Sequence, residues 1–596
     1  MAAETIPQLF LQSVRKFQKA DAFRVKQHGS YTNISHKEIF DKTYHAALGL
    51  LTLRLTKGDR VALLSENRPE WVIADLAILS AGCINVPIYT SLPAAQIAYI
   101  LRDAEARAIF VSDANQLSKI LEIRSNLPAL RRIITFDPHC AGDEAISLDK
   151  LIETGASLPN PKSYEEMIST IGKYDWASII YTSGTTGEPK GAILTHWNFV
   201  TNAITCVSII DVSREDTFLS WLPLSHVFER TGGYYTPLHV GATIAYAESM
   251  DTIPQDLIEV KPTVMISVPR FYEKTYARIM DMATSGPRLK KYLFFWALDA
   301  GRAYVKQKLA GRVSFANKLK YAIADKLVLF KIRERTGGRL RFAVAGGAPL
   351  HRKIAEFFYA VGLPILEGYG LTETSPAVAI NTFEAFKFGT VGRPIPGVEV
   401  QTAEDGEILV KGPNVMLGYF KKPDMTNEVI VDEWFHTGDI GFIDREGFLS
   451  ITDRKKDIIV TAGGKNVAPQ PIECAIKTSK YIAQAVLIGD KRKFISALIV
   501  PNFDNIKKYA LSKQIPYTDM ASLLKNPKVH EKIQSEIDRK SENFASFERI
   551  KKFVLLDHDF SIDSNELTPS LKVRRNIVEK EFKEHIDKLY EEDEAF

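Results

Sequence analysis

An α/β fold built on parallel sheets is predicted for this chain of 596 residues. Apolar runs such as RVALLSENRPEWVIADLAILSAGCINVPI and ARAIFVSD alternate with helical patterns, the rhythm of parallel strands joined by crossover helices. The same rhythm returns at TVMISVP and at RFAVAGGAPL. The chain is too long for one hydrophobic core, so roughly two to four domains are expected.

Between the last two runs, from about Phe271 to Gly338, the sequence is long, helical and basic. From about Gly397 the texture changes to short strands and turns, as in GVEVQTAEDGEILVKG. After Asp453 a smaller, lysine-rich unit runs to the end, and neither a repeat nor a low-complexity segment interrupts the chain.

Hydrophobic residues at 45%, charged at 25% and aromatics at 10% are the composition of a soluble globular protein rather than a disordered one. A net charge of +4 gives no argument for a nucleic-acid partner. Cys83, Cys140, Cys206 and Cys474 stand far apart in no metal-ligand spacing, so a reducing, cytoplasmic setting with buried thiols is expected. The start, MAAETIPQLFLQSVRKF, is amphipathic and lacks an apolar signal core. No apolar run has the length of a membrane span, so any membrane contact is expected to be peripheral, on the inner face.

Four segments carry chemistry. In YTSGTTGEPKGAILTH, the hydroxyls and glycines of Thr182–Gly187 offer backbone N–H donors that curl around an anion, with Lys190 to supply full charge. Lys190 stands between Pro189 and Gly191, so the Gly-Lys-Ser/Thr pattern of a P-loop fails, and an ordinary Gly/Thr-rich turn stays open as the alternative. In EGYGLTETSP, Tyr369 sits between glycines that let a planar ring approach, and Glu373 is a reasonable magnesium ligand if phosphates lie nearby. Packing and solvated charge are the plain alternatives for the pair.

In HTGDIGFIDREGFLSITDRKKD the turn Asp444–Gly447 predicts a hairpin whose returning strand should bring Asp439 and Arg454 nearly opposite each other. That pairing serves either a ribose diol with a neighbouring phosphate or a simple cross-strand ion pair. In LTPSLKVRRNIVEKEF, Lys572 precedes an amphipathic helix with Ile577, Phe582 and Ile586 on one stripe, and nothing local singles it out from Arg574, Arg575 and Lys580.

Taken in order, YTSGTTGEPKG, LPLSHVFER, AGGAPL, EGYGLTET, HTGD, DRKKD and PSLK resemble the core motifs of the adenylate-forming superfamily of acyl-CoA synthetases, luciferases and adenylation domains. DEWFHTGDIGFIDREGFLSITDRKK, VPRFYEK and the basic insertion are similar to its long-chain fatty acyl-CoA synthetase branch. The resemblance implies a large N-terminal α/β domain with a distorted β-barrel over residues 1–452, carrying the insertion at about 271–338. It implies a small α+β C-terminal lid over 453–596, on a hinge at Lys456. The implied activity is an AMP-forming ligase that takes long-chain fatty acid, ATP with magnesium, and coenzyme A.

The resemblance also assigns roles. Thr182, Ser183, Gly184, Thr185, Thr186, Gly187 and Lys190 would cradle the β- and γ-phosphates. Tyr369, within Glu367, Gly368 and Gly370, would stack on adenine, with Gly346, Gly347 and Ala348 along its edge. Thr372 would touch the α-phosphate, and Glu373, with Thr185, would ligate magnesium. Asp439 and Arg454 would take the ribose, His226 would flank the acyl carboxylate, and Lys572 would reach the adenylation site. Gly463 and Gly464 would line a pantetheine path after rotation about Lys456. PSLK stands where many members have a Gly-Lys pair, which leaves Arg574 and Arg575 as rivals of Lys572.

Three other readings remain: a medium-chain or aryl acid ligase, a peptide-synthetase module, and a non-catalytic membrane-associated lipid-binding protein on this fold. The peptide-synthetase module is disfavoured because no carrier domain follows Lys572. The basic insertion Arg278–Arg341 is expected to dock on anionic membrane through Arg288, Lys290, Lys291, Arg302, Lys306, Lys308, Arg312, Lys318 and Lys320. Phe294, Phe295 and Trp296 would add shallow insertion there or, alternatively, pack on the main domain.

Overall fold

The structure is a computed structural model that describes residues 3–182, 188–561, 564–568 and 573–591. Ser183, Gly184, Thr185, Thr186, Gly187 and Lys572 therefore lie outside the described residues.

The first apolar run folds as read. Strand Arg60–Leu64 leads through helix Pro69–Ser80 to strand Ile84–Ile88, which pairs with it in parallel. The helix is apolar on all sides because it is buried at every position but Glu70. These strands belong to an eight-stranded sheet that also holds Trp176–Thr182 and Lys190–Thr195.

A nine-stranded sheet carries TVMISVP as Val264–Ser267 and RFAVAGGAPL as Phe342–Ala345, with Ile365–Gly370 as the next parallel neighbour. Its centre is buried on both faces, which is why those strands read as continuous apolar runs. The change of texture near Gly397 marks a five-stranded antiparallel sheet that spans Glu399–Thr402 to Leu449–Arg454.

The C-terminal domain holds a three-stranded sheet, Ile482–Ile488, Ser496–Pro501 and Lys552–Leu555, with helices Pro469–Ile476, Pro527–Ser541 and Lys583–Glu591 around it. Its last stripe differs from the one read in the sequence: Val578, Phe582, Ile586 and Tyr590 are buried together, while Ile577 lines the central cavity. The helix breaks between Glu581 and Lys583, yet the buried positions keep a spacing of four across the break.

The basic insertion is helical, with Pro269–Ser285, Arg288–Leu309, Phe315–Ala324, a π-helix at Asp325–Leu329, and Phe330–Glu334. Helix Arg288–Leu309 approaches Arg352–Val361 so closely that a Cβ on Gly301 would meet the Ala360 carbonyl oxygen at 2.3 Å. That contact decides the fate of the aromatics expected at a membrane: Phe294 is buried, and Phe295 and Trp296 pack half-buried against the core. Cys83 and Cys206 are buried, Cys140 and Cys474 half-buried, and all four are free thiols. Among the described residues no helix is long and apolar enough to cross a membrane.

Candidate active site

One cavity of about 2180 Å³ lies where both large sheets, the five-stranded sheet and the C-terminal domain meet. It gathers Thr182, Lys190, His226, Gly346, Gly347, Ala348, Glu367, Gly368, Tyr369, Gly370, Thr372, Glu373, Asp439, Arg454 and Lys456 on one wall system. Motifs separated by more than 250 residues thus converge. Gly463 and Gly464 do not line the cavity, and both are exposed.

The hairpin places its acid and base as expected. Strand Trp434–Ile443 pairs with Leu449–Arg454 so that Asp439 faces Arg454, and Arg454 Nε stands 3.4 Å from Asp439 Oδ1. Asp439 is nearly buried, while Arg454 stays 40% exposed and able to turn toward a ligand. Tyr369 donates its hydroxyl to Asp439 Oδ2 at 2.7 Å, which fixes the ring plane. Burial and the neighbouring Asp439 raise the Tyr369 pKa well above its ordinary value, so the hydroxyl keeps its proton and remains a donor.

The glycine after Tyr369 has a reason within the chain itself. A Cβ on Gly370 would meet the Pro376 carbonyl oxygen at 1.8 Å, so glycine is needed for the chain to turn back against itself. The turn that follows is a 3-10 helix, Thr372–Thr374, and several hydrogen bonds pin it. Thr231 Oγ1 donates to the Ser375 carbonyl at 3.1 Å, the Met416 amide donates to the Glu373 carbonyl at 2.8 Å, and Asn202 and Asn414 each donate to the Ala377 carbonyl at 3.0 Å.

Glu373 itself accepts the Tyr419 hydroxyl on Oε1 at 2.9 Å. Lys190 Nζ lies 5.0 Å from the centre of the same tyrosine ring. Burial lowers the Lys190 pKa, with Lys456 pushing the same way and Glu373 opposing it. An ammonium crowded by a second cation and partly desolvated is primed to take up an anion.

His226 accepts the Phe228 amide on Nδ1 at 3.1 Å, so this nitrogen carries no proton and Nε2 carries the one of the neutral ring. The segment that follows is anchored from below. Arg230 and Asp75, both fully buried, form an ion pair. Arg230 also donates to Ser178 Oγ at 2.8 Å and to the Tyr235 hydroxyl at 2.9 Å, and Tyr235 donates to Asp75 at 2.8 Å. A buried pair so fully hydrogen-bonded fixes the segment that carries His226 and Phe228.

The cavity walls also include the apolar side chains of Phe218, Trp221, Val264, Ile266, Phe342 and Val344. Glu367 lines the cavity with Oε1 buried and unpaired, and burial pushes its carboxyl up to about 8, so it is neutral at pH 7. It is thus a neutral hydrogen-bonding group at this wall, unlike the anion its residue type implies.

The C-terminal domain presents Val573, Arg574, Arg575, Ile577 and Glu579 to the cavity. Arg575 is committed within that domain: it donates to the Leu487 carbonyl at 2.6 Å and pairs with Glu473 at 2.7 Å. Arg574 donates to Asn565. Ion pairs fasten the domain to helix Pro269–Ser285, with Lys477 to Glu273 at 3.6 Å, Lys508 to Asp281 at 2.8 Å and Lys480 to Asp281 at 3.9 Å.

Sequence reading missed Tyr419, Asn202, Asn414 and the Arg230–Asp75 pair. Asn198 and Asn202, one helical turn apart in HWNFVTNA, are the one signal that pointed inward: Asn198 donates to the carbonyls of Pro413 and Val415 at 2.7 and 3.0 Å.

Residues 10–420 match the AMP-binding enzyme family, and residues 456–594 match the AMP-binding enzyme C-terminal domain. The chain is 36% identical over 567 residues to the long-chain-fatty-acid–CoA ligase FadD15 of Mycobacterium tuberculosis, covering 94% of this chain and 93% of the relative. It is 32% identical over 618 residues to the human long-chain-fatty-acid–CoA ligase ACSBG2, covering 98% and 92%. Among solved structures, the adenylation domain of a carboxylate reductase from Mycobacterium chelonae superposes with a TM-score of 0.78 at 22% identity, over 98% of this chain and 91% of that one. ATP-bound MatB from Rhodopseudomonas palustris does so with a TM-score of 0.70 at 25% identity, over 97% and 99%.

Proposed function

The chain belongs to the AMP-binding enzyme family, and from that premise we propose that it is a long-chain fatty acid–CoA ligase that works through an acyl-adenylate. The overall reaction joins fatty acid, ATP and coenzyme A into acyl-CoA, AMP and diphosphate. The observation that carries the reading is a single cavity lined both by Tyr369, Asp439 and Glu373 and by the apolar side chains of Phe218, Trp221, Val264, Ile266, Phe342 and Val344.

Nucleotide binding falls to the residues already brought together. The Tyr369 ring, held by Asp439, offers a face to adenine, with Gly346, Gly347 and Ala348 along the edge. Asp439 and Arg454 take the ribose hydroxyls. Lys190, with Thr182 and the loop after it, receives the β- and γ-phosphates. His226 Nε2–H donates toward the acyl carboxylate, and Thr372 toward the α-phosphate.

Among the described residues no group of three or more His, Cys, Asp or Glu is placed to hold a metal. A lone carboxylate, Glu373, fits magnesium that arrives on ATP, since this ion keeps most of its ligands as phosphate oxygens and water. The ion neutralises phosphate charge when bound.

In the first half-reaction a carboxylate oxygen attacks the α-phosphorus in line and pyrophosphate departs. In the second, the coenzyme A sulfur attacks the acyl carbon and AMP departs. The chain contributes position and fixed charge rather than covalent chemistry.

Residues 1–452 would form the adenylate-forming domain and 453–596 the lid. Strand Leu449–Arg454 pairs with Trp434–Ile443 as far as Arg454, which supports a swivel just beyond it, at Lys456. The observed pose, with Val573–Glu579 toward the cavity and Gly463 and Gly464 away from it, suits adenylation. Thioester formation would require the Glu273 and Asp281 ion pairs to open and the glycines to swing in. The setting proposed is the cytoplasmic side of a membrane.

Pyrophosphate should appear when ATP, magnesium and palmitate are added, and palmitoyl-CoA only when coenzyme A is added too. Pyrophosphate production independent of palmitate would refute the reading.

A further inference from the structure

We propose that the outer face of the helical insertion, the stripe Phe315, Leu319, Ile323, Leu327 and Phe330, is a docking surface for an anionic lipid bilayer. The proposal rests on the ligase reading only for its purpose, because a fatty acid dissolves in membrane.

Helix Phe315–Ala324 and the turns after it have an inner and an outer apolar side. The inner side is satisfied: Tyr321 stacks on Tyr304 with ring centres 4.3 Å apart, and Ala324 and Leu329 are fully buried. The outer side is left largely to solvent, although the Arg333 guanidinium lies 5.9 Å from the centre of the Phe330 ring. Phe315 is 82% exposed, Leu319 53%, Ile323 45%, Leu327 50% and Phe330 44%. Positions 315, 319, 323 and 327 recur every fourth residue, which keeps them along one side of a helix. Soluble monomers seldom leave so many large apolar side chains exposed side by side without a partner.

Charge identifies the occupant. Lys318 and Lys320 flank Leu319, and Arg312, Lys326 and Lys331 complete the border; none of the five pairs with an acid among the described residues. Asp325 is the acid within residues 312–332, and Arg333 holds both its oxygens, at 2.5 and 2.9 Å. A second copy of this chain would bring two cationic rims together and be repelled. An apolar stripe bordered by unpaired lysines instead matches a bilayer interface, where side chains enter the acyl boundary and cations meet lipid phosphates. The surface differs from the one expected at Phe294–Trp296, whose rings serve the core.

The test is sedimentation of the full chain with vesicles of phosphatidylcholine containing phosphatidylglycerol, against phosphatidylcholine alone. Wild type should sediment with the anionic vesicles, and less so as salt rises. The double variant Leu319→Ser/Ile323→Ser should lower the partition coefficient by about tenfold. Lys318→Gln/Lys320→Gln should lower it and flatten the salt dependence. Activity on octanoate in vesicle-free solution should stay unchanged in both variants, so loss of the ligase reading and loss of the docking surface give different results. Equal sedimentation of wild type and Leu319→Ser/Ile323→Ser overturns the proposal, as does wild type left in the supernatant at low salt. A concentration-dependent dimer that the apolar variant abolishes, without vesicle binding, assigns the face to a second copy and overturns it too.

Discussion

Replacing Glu373 with glutamine should cut palmitate-dependent exchange between pyrophosphate and ATP by about 10²- to 10³-fold, with thermal unfolding unchanged. Glutamine keeps the shape and still accepts the Tyr419 hydroxyl, which sits 2.9 Å from Oε1. The turn does not depend on the carboxylate, since Thr231, Asn202, Asn414 and the Met416 amide pin the backbone around it. What disappears is the negative charge proposed to meet magnesium on the phosphates, which also opposes the lowering of the Lys190 pKa. Extra magnesium should restore part of the activity. Full exchange in the variant at low magnesium would remove Glu373 from the metal's coordination.

Lys572→Ala should lower adenylation by a similar factor, about 10²-fold or more, and leave the second half-reaction nearly intact. Lys572 itself lies outside the described residues, so the expectation rests on its motif and on what its neighbours are doing. Its sequence rivals are occupied: Arg575 is paired with Glu473 and the Leu487 carbonyl, and Arg574 with Asn565. The proposed domain swing sets Lys572 beside the α-phosphate while the carboxylate attacks and takes it away before AMP departs, so its charge is expected to matter mainly in the first step. Supplying preformed palmitoyl-adenylate with coenzyme A separates the steps. Equal loss in both would show that the lysine serves the fold or both chemistries, contrary to exchange of the domain's two faces.

Much of the architecture was legible because it depends on local pattern. Continuous apolar runs gave the buried parallel strands, and the Asp444–Gly447 turn gave the hairpin, while a register shift between Ile440 and Gly441 is what brings Asp439 opposite Arg454 rather than Asp453. What escaped depends on contacts between distant segments. Tyr419 reaches Glu373 across 46 residues, and Arg230 reaches Asp75 across 155, with nothing at either end to mark the pairing. That a Cβ on Gly370 would also meet the Pro376 carbonyl is visible only in the folded chain. Along the insertion, each helix is amphipathic in more than one direction, so the side that packs is settled by Arg352–Val361 rather than by the helix itself. Phe294 was therefore as plausible at a membrane as Phe315, and only the fold separates the buried ring from the exposed one.

The most direct measurement follows the oxygens of the acid. Palmitate carrying heavy oxygen at both carboxylate positions is turned over with ATP, magnesium and coenzyme A, and the nucleotide product is weighed by mass spectrometry. Attack of the carboxylate on the α-phosphorus predicts that every AMP formed carries one heavy oxygen, while the acyl-CoA keeps the other. AMP without label, or label found in inorganic phosphate beside ADP, would contradict an acyl-adenylate and with it the assignment of this cavity.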